Sequence, residues 1–576
     1  MSIALCGSSV SPGTAIGRAR VQQLGQLDVS EYALPARHLD AEVARLHRAL
    51  EIAREQLRTI RARIPSDTPQ DIAAFIDTHL LMLDDSAFSR VPAEIIHQRR
   101  CNAEWALKLQ QDALVQVFDA MEDPYLRTRR DDVEHLVRRV QQILLRAEPP
   151  PGVQIEQESE PRILIAVDLA PSEMLLLHQQ QIAAIVTERG GPLSHTAILA
   201  RSLGIPALVG VNQATRLLHD NELLVVDANH GTLLCELDDA QLKGFQRQQK
   251  AERRQRRQLD RLRNEPALSL DGVALSLHAN IESGDDIRTL QRVGAAGVGL
   301  YRTEYLFMNR PHPPDEEEQY QSYRDTLRRL KGVPLTIRSL DIGSDKQSDP
   351  GSTANCSNPA LGLRAVRLCL QDLPLFRSQL RAILRASAHG PLRLLIPMLT
   401  SHQEITQVKR LLLQVRDQLR REAQPFAPAV PLGAMIEVPA AALCADIFAR
   451  EFDFLSIGTN DLMQYTLATD RVDESVNHLF DPLHPGVLRL IAMVIKAAHS
   501  AGKPLSMCGE MAGDARLTPL LLAMGLREFS APPASLPAVK QVIRRSDIGK
   551  LQRALGRSLD SSDPKRIAQR LEGLLR

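Results

Sequence analysis

The chain has 576 residues and a formal net charge of +1. That balance argues against a bulk electrostatic pull toward nucleic acid or an anionic membrane, and the length suggests about four domains at roughly 150 residues each. With 44% hydrophobic but only 3% aromatic residues, its cores must rest on Leu, Ile, Val and Ala. The seven cysteines form no C-x-x-C pair, so neither a disulfide framework nor a zinc site is indicated, and a reduced, cytoplasmic compartment fits.

Residues 1–25 read as short strands with a turn at Ser11-Pro12-Gly13. Residues 38–146 contain almost no glycine and carry apolar residues at helical spacing, as in Leu39, Val43, Leu46, Leu50 and Ala53. That pattern predicts an antiparallel helical bundle, ended by Pro149-Pro150-Pro151-Gly152. Strand-like runs return at Ile163–Val167, Ala183–Val186 and Leu223–Val226. The economical reading is a helical bundle at 28–147 inserted into a small α/β domain made of 1–27 and 148–238. Residues 239–265 are charged, include Arg253-Arg254-Gln255-Arg256-Arg257, and read as a solvated linker helix. No stretch approaches the about 20 apolar residues of a membrane span, and the N-terminus lacks the pattern of a signal peptide.

From 266 to 576 the rhythm changes. Strand-like runs near Ser276–Ile281, Gly297–Leu300, Leu335–Leu340, Leu392–Met398, Leu432–Ile436, Phe452–Ile457, Pro504–Met507 and Glu528–Ser530 alternate with helical stretches. About eight βα units predict a (β/α)8 TIM barrel, with a doubly wound sheet as the competing fold. The fold class is therefore multidomain α/β.

Two sets of residues carry chemistry. In Gly190-Gly191-Pro192-Leu193-Ser194-His195-Thr196-Ala197 a histidine stands where a glycine-rich loop meets an apolar helix. Helix starts offer unpaired N–H groups and a partial positive charge, and glycines let a phosphate approach the backbone. Imidazole is nucleophilic near neutral pH, so His195 suits a phosphoryl carrier. In the second set, polar residues fall at the ends of several barrel strands: Arg302, Arg338, Glu437, Asn460, Asp461 and Cys508. TIM-barrel active sites form at this face. Arg302, Arg338 and Arg471 match a small carboxylate- and phosphate-bearing anion. Glu437 and Asp461 supply the hard oxygen ligands that Mg²⁺ takes.

Together the motifs resemble Enzyme I of the phosphoenolpyruvate:sugar phosphotransferase system. The resemblance rests on the His195 segment, Gly299-Leu300-Tyr301-Arg302-Thr303-Glu304, Asn358-Pro359-Ala360-Leu361-Gly362-Leu363-Arg364, Met435-Ile436-Glu437, Gly458-Thr459-Asn460-Asp461, Asp470-Arg471 and Met507-Cys508-Gly509-Glu510, and covers nearly the whole chain. It implies that His195 is phosphorylated at Nε2 by phosphoenolpyruvate, releasing pyruvate, and passes the group to the phosphocarrier protein HPr. Arg302, Arg338 and Arg471 would bind the substrate, with Asn460 on its phosphate and Arg364 a weaker candidate. Glu437 and Asp461 would hold Mg²⁺, and Cys508 would protonate the enolate. The resemblance further implies HPr docking on the bundle around Phe75, His79, Leu80, Met82 and Asp84, a flexing linker near 239–264, and a homodimer through the barrel.

The chain departs from the family at Ser344, where glycine is usual, in the loop 347–357, at Met174, and in Ser530-Ala531-Pro532-Pro533-Ala534-Ser535. Slower or differently regulated turnover is the expected consequence. Rival readings are an ATP-using pyruvate phosphate dikinase or phosphoenolpyruvate synthase, for which the segment before His195 shows no Gly-rich ATP loop, a nitrogen-regulatory paralogue, and a regulator that binds without turnover.

Overall fold

The computed structural model describes residues 3–22, 29–63, 70–119, 124–145, 161–169, 182–191, 196–197, 200, 204–308, 310, 312–342, 359–470, 476–555 and 566. The chain forms two compact units, Met1–Gln255 and Arg256–Arg576.

The first unit combines a mixed sheet with a helical bundle. Its strands are β1 (Ile3–Cys6), β2 (Ser8–Ser11), β3 (Thr14–Gln22), β4 (Arg162–Ala166), β5 (Ile182–Thr187), β6 (Ala207–Val209), β7 (Leu223–Asp227) and β8 (Thr232–Cys235). The sheet order is β1-β8-β7-β3-β4-β5-β6-β2. β3 and β4 pair in parallel from Arg18↔Arg162 to Gln22↔Ala166, and the bundle is the long excursion between them. Four residues of β4 are buried, as a strand covered on both faces requires.

The bundle comprises α1 (Leu39–Arg63), α2 (Gln70–Asp84), α3 (Ser86–Arg99), α4 (Ala103–Asp119) and α5 (Pro124–Leu145). Leu46, Leu50, Ala53 and Leu57 of α1 recur every three or four residues and share one core with Ile76, Leu83, Ile96 and Leu136. Asp85 caps α3 by accepting from Ala87 N at 2.8 Å, and Arg100 ends it at φ +53°. The charged segment predicted as a linker is a helix at Asp239–Arg261. Its Glu252 accepts from Thr14 N at 3.0 Å and Thr14 Oγ1 at 2.8 Å, fastening that part of the helix to the sheet.

The second unit is a closed barrel of eight parallel strands: β9 (Ser276–Ile281), β10 (Gly297–Arg302), β11 (Leu335–Arg338), β12 (Leu392–Ile396), β13 (Leu432–Ile436), β14 (Phe454–Ile457), β15 (Leu505–Met507) and β16 (Glu528–Ala531). Its fold is thus the expected (β/α)8 barrel. A continuous apolar core includes Ile337, Leu394, Ala434 and Ile457 of the strands with Phe376, Val408, Phe448 and Ile491 of the helices. Two strands stop short of the expected span. After β11, Leu340 N is taken by Gln379 Oε1 at 2.9 Å. After β12, Met398 turns to φ +60° and gives its N–H to Glu437 Oε1 at 2.7 Å. No helix among the described residues is long and apolar enough to cross a membrane.

Candidate active site

At the C-terminal ends of the barrel strands the chain assembles a buried network of guanidinium and carboxylate groups. Arg338 ends β11. Its Nη2 donates to Glu304 Oε1 at 2.7 Å, and Nη1 lies 2.9 Å from Asp341 Oδ2. Glu304 follows β10 in a short 3₁₀ turn (Thr303–Leu306) and also accepts from Asp341 N at 3.0 Å. Arg364 lies 2.8 Å from Asp341 Oδ1 and 3.3 Å from Asp461 Oδ1, and its Nη1 donates to the Tyr465 hydroxyl at 3.2 Å. Asp341 thus sits between two arginines. Burial alone would lower the proton affinity of both guanidiniums, but Glu304 and Asp341 raise Arg338, and Asp341 and Asp461 raise Arg364.

Glu437 follows β13 and is 1% exposed. Burial, then the negative charges of Asp461 and Asp341, push its carboxyl up to about 8. Oε1 holds Met398 N; a methyl group on Gly458 would stand 2.7 Å from Oε2, so only glycine leaves the carboxylate its place. Asn460 opens the helix Thr459–Leu467. Its side chain exchanges two 3.0 Å hydrogen bonds with Glu510, donating to Oε1 and accepting from the backbone N. An amide nitrogen carries two hydrogens, so one remains for a ligand.

Cys508 follows β15 and is buried. Its thiol accepts from Ser456 Oγ at 3.3 Å and faces Ile457 O at 3.6 Å. Burial, with Glu437 adding to it, pushes the thiol up to about 11, opposed by the hydrogen bond from Ser456 and then by Arg338 and Arg302. At neutral pH it therefore carries its proton. Arg302 ends β10, 38% exposed, with Nη1 3.2 Å from Glu282 Oε1.

Four polar atoms at this end of the barrel are buried without a hydrogen-bond partner among the described residues: Glu304 Oε2, Arg338 Nε, Ser339 Oγ and Thr459 Oγ1. Native interiors leave few such atoms, each at a cost of about 1–3 kcal/mol. Their concentration here marks a place built for a polar ligand.

The barrel thus brings together Arg338, Arg364, Glu437, Asp461 and Cys508, with Arg302 and Asn460 on neighbouring strand ends. His195 and Arg471 lie outside the described residues, as do Met174, Ser344 and the loop 347–357. Around His195, Gly190 takes φ +99°, and a methyl group on Gly191 would meet nothing within 4 Å. Thr196 and Ala197 are helical and buried, and Thr196 Oγ1 donates to Leu169 O at 3.3 Å. In the bundle, His79 is 3% exposed, buried against Asp132 at 3.9 Å. It belongs to the interior and is not a docking residue. The exposed residues of that stretch, among those described, are Leu81, at 71%, and Asp84. Phe75's side chain is outside the described set.

The sequence motifs include Glu304, but neither it nor Asp341 receives a role from sequence reasoning. The available signal was an acid within three residues of each strand-end arginine, since a buried guanidinium needs a carboxylate.

Residues 256–548 match the PEP-utilising enzyme, PEP-binding domain. Residues 6–129 match the PEP-utilising enzyme, N-terminal, and 158–231 the PEP-utilising enzyme, mobile domain. The phosphoenolpyruvate-protein phosphotransferase of Cupriavidus necator is 44% identical over 585 residues, covering 100% of each chain. Its namesakes from Listeria innocua and Bacillus subtilis are 38% and 39% identical, covering 99% and 94% of this chain and the same shares of their own. The chain belongs to the PEP-utilising enzyme family.

Proposed function

We propose that this protein is a phosphoenolpyruvate-protein phosphotransferase, phosphorylated on His195 and discharging to a small phosphocarrier protein of the HPr type as the first step of a phosphotransferase system. The observation that carries the reading is the buried arginine–carboxylate network beside a protonated thiol, with orphaned polar atoms aimed at the same end of the barrel.

Arg302, Arg338 and Arg471 bind the carboxylate and phosphate of phosphoenolpyruvate. Asn460 gives its free amide hydrogen to the phosphate, and Arg364 holds Asp341 and Asp461 in place beside it. His195 Nε2 attacks phosphorus; the P–N bond forms as the bridging P–O bond breaks, leaving the enolate of pyruvate. The Cys508 thiol gives its proton to the methylene carbon, completing pyruvate and leaving a thiolate. A thiol raised to about 11 fits this task, because it is loaded at neutral pH.

Members of the family are generally metal-dependent, and the donor set here fits Mg²⁺. Four carboxyl groups, Glu304, Asp341, Glu437 and Asp461, stand against the two guanidiniums of Arg338 and Arg364. All the acidic donors are oxygens, which suits a hard divalent cation. Glu437 and Asp461 would hold it, and when bound it would neutralise the charge of the transferring phosphoryl group.

Loading His195 requires it to reach the barrel mouth, and discharge requires it to leave, so segment 239–264 serves as the hinge. The acceptor docks on the bundle where α2 exposes Leu81 and Asp84. We place the protein in the cytoplasm and infer a homodimer through the barrel unit, where Leu443 and Leu479 are exposed.

The test is incubation with Mg²⁺ and ³²P-labelled phosphoenolpyruvate, alongside His195→Ala. Acid-labile, base-stable label on the parent and none on the variant is expected. A folded parent that binds phosphoenolpyruvate but takes no label would sink the reading in favour of a binding-only regulator.

A further inference from the structure

TIM-barrel interiors are filled mostly by branched apolar side chains. Here one sector of the interior is polar. Ser506 and Cys508 are two residues apart and therefore share a face of the β15 segment. Ser456 on β14 is the register partner of Ser506, which is in turn the partner of Glu528 on β16. His278 on β9 pairs with Ser530 on β16. On the other side, Leu300, Leu395, Met435 and Phe454 form the apolar filling against which Cys508 packs.

The serines form a directed chain. Ser506 Oγ donates to Ser456 Oγ at 3.0 Å, and Ser456 Oγ donates to Cys508 Sγ at 3.3 Å. Ser456 is 0% exposed. Ser506 in turn lines a small cavity of about 10 Å³, room for about one water, at the N-terminal ends of the strands. His278, Arg393 and Glu528 line the same space, and His278 Nδ1 is buried without a partner among the described residues. Beside the apolar Val298, Pro334 and Phe454, these polar groups and the unmet ring nitrogen give a single water its partners. A row of hydroxyls therefore connects the thiol at one end of the barrel to a small cavity, partly open to solvent, at the other.

We propose that the Ser506–Ser456 pair is the route by which the Cys508 thiolate regains its proton after each turnover. The inference rests on the reading of Cys508 as the donor to the enolate. Once the thiol has given up its proton, pyruvate covers the sulfur from the mouth. The thiolate takes the proton of the Ser456 hydroxyl, Ser456 takes that of Ser506, and Ser506 takes one from a cavity water. The hydroxide left behind exchanges with bulk water through the open side, so each turnover takes up one solvent proton. Both serines act through Cys508 and are positioning residues.

The experiment measures two rates in the full-length protein: single-turnover ³²P labelling of His195, and steady-state pyruvate release with a phosphocarrier acceptor in excess, in H₂O and in D₂O. Ser456→Ala and Ser506→Ala should label at the parent rate, with the parent dependence on phosphoenolpyruvate concentration. Their kcat should fall about tenfold, with an increased solvent isotope effect. Ser506→Thr keeps a hydroxyl and should restore kcat. Ser506 is only half-buried, so its variants serve even if Ser456→Ala fails to fold. Parent values of kcat and isotope effect in Ser506→Ala would overturn the route while leaving the phosphotransferase reading intact. A parent protein that takes no label would instead overturn that reading, and this one with it.

Discussion

Glu304 is the residue whose removal tests the site most directly. Its Oε1 makes two bonds, to Arg338 Nη2 at 2.7 Å and to Asp341 N at 3.0 Å. In Glu304→Ala the Asp341 N–H loses its acceptor, which costs about 1 kcal/mol for a half-buried donor. Removing one partner of a buried ion pair costs about 3–5 kcal/mol. Arg338 keeps Asp341 at 2.9 Å, which places this loss at the lower end, so the sum is about 4 kcal/mol. Glu304→Gln keeps an oxygen for both bonds and gives up only the charge. Burial already pushes the Glu304 carboxyl up toward its neutral form, so this change should cost only about 1 kcal/mol. The protein's one tryptophan, Trp105, lies on α4 of the bundle, so its fluorescence does not report on the barrel. Urea unfolding should be followed by circular dichroism or hydrogen exchange of barrel amides. Freed from Glu304, Arg338 swings toward Asp341, and KM for phosphoenolpyruvate should rise about tenfold, equivalent to about 1.4 kcal/mol. Barrel unfolding and KM both unchanged in Glu304→Ala would show that Glu304 does not anchor Arg338.

Cys508→Ala should take up the first phosphoryl group on His195 at close to the parental rate but lose about 10²–10⁴-fold in steady-state pyruvate release; equal losses in both rates would assign the thiol a binding role instead. Gly458→Ala places a methyl group 2.7 Å from Glu437 Oε2 and 3.0 Å from its Cβ. The variant should lose about 1–3 kcal/mol of stability and any Mg²⁺-induced rise in the barrel's melting temperature; a parental Mg²⁺ shift would remove Glu437 from the ligand set. His278 supplies a pH test. Burial, then Arg393, holds its folded value at about 4, so its 3.9 Å approach to Glu528 is a contact of a neutral ring. Between there and the unfolded value the unfolded chain binds the extra proton, so this contribution is complete above about pH 6.5 and is lost as pH falls toward 4, amounting to about 3 kcal/mol. His278→Gln should flatten that part of the stability–pH curve, and an unchanged slope in urea titrations at pH 7 and 4.5 would contradict it.

The barrel was legible because parallel strands buried on both faces read as short apolar runs, and those runs begin at or within two residues of β9–β16. The bundle was legible from its heptad-like spacing and lack of glycine. Some elements were not. β6 and β8 are three- and four-residue strands, too short to carry a period. The site residues on strand ends were legible as types out of place, yet their pairing was not. Nothing in the chain order says that Asp341 lies between Arg338 and Arg364, because Arg364 arrives from 23 residues further on. The polar sector of the interior was hidden for a different reason. A serine alternating with apolar residues reads as an outward-facing position until closure of the barrel shows that Ser456 and Ser506 point at one another.

The two strands that stop short of their expected ends lead to the same place as the chemistry. Leu340 and Met398 are apolar and buried, so composition alone extends β11 and β12 through them. In the folded chain their backbone N–H groups leave the sheet for side chains, Gln379 Oε1 and Glu437 Oε1. Gln379 also donates to Thr303 Oγ1 at 3.3 Å, and that hydroxyl donates to Arg338 O at 3.0 Å. The donors that would have lengthened the ladder instead fix Glu437 and the turn that carries Glu304. Met398 adopts φ +60°, a conformation that costs a side-chain-bearing residue about 1–2 kcal/mol. The hydrogen bond to a buried carboxylate offsets this at about 1.5–3 kcal/mol. Local propensity is overruled where the fold positions a charged group, and for that reason β11 and β12 stop short at the mouth of the barrel.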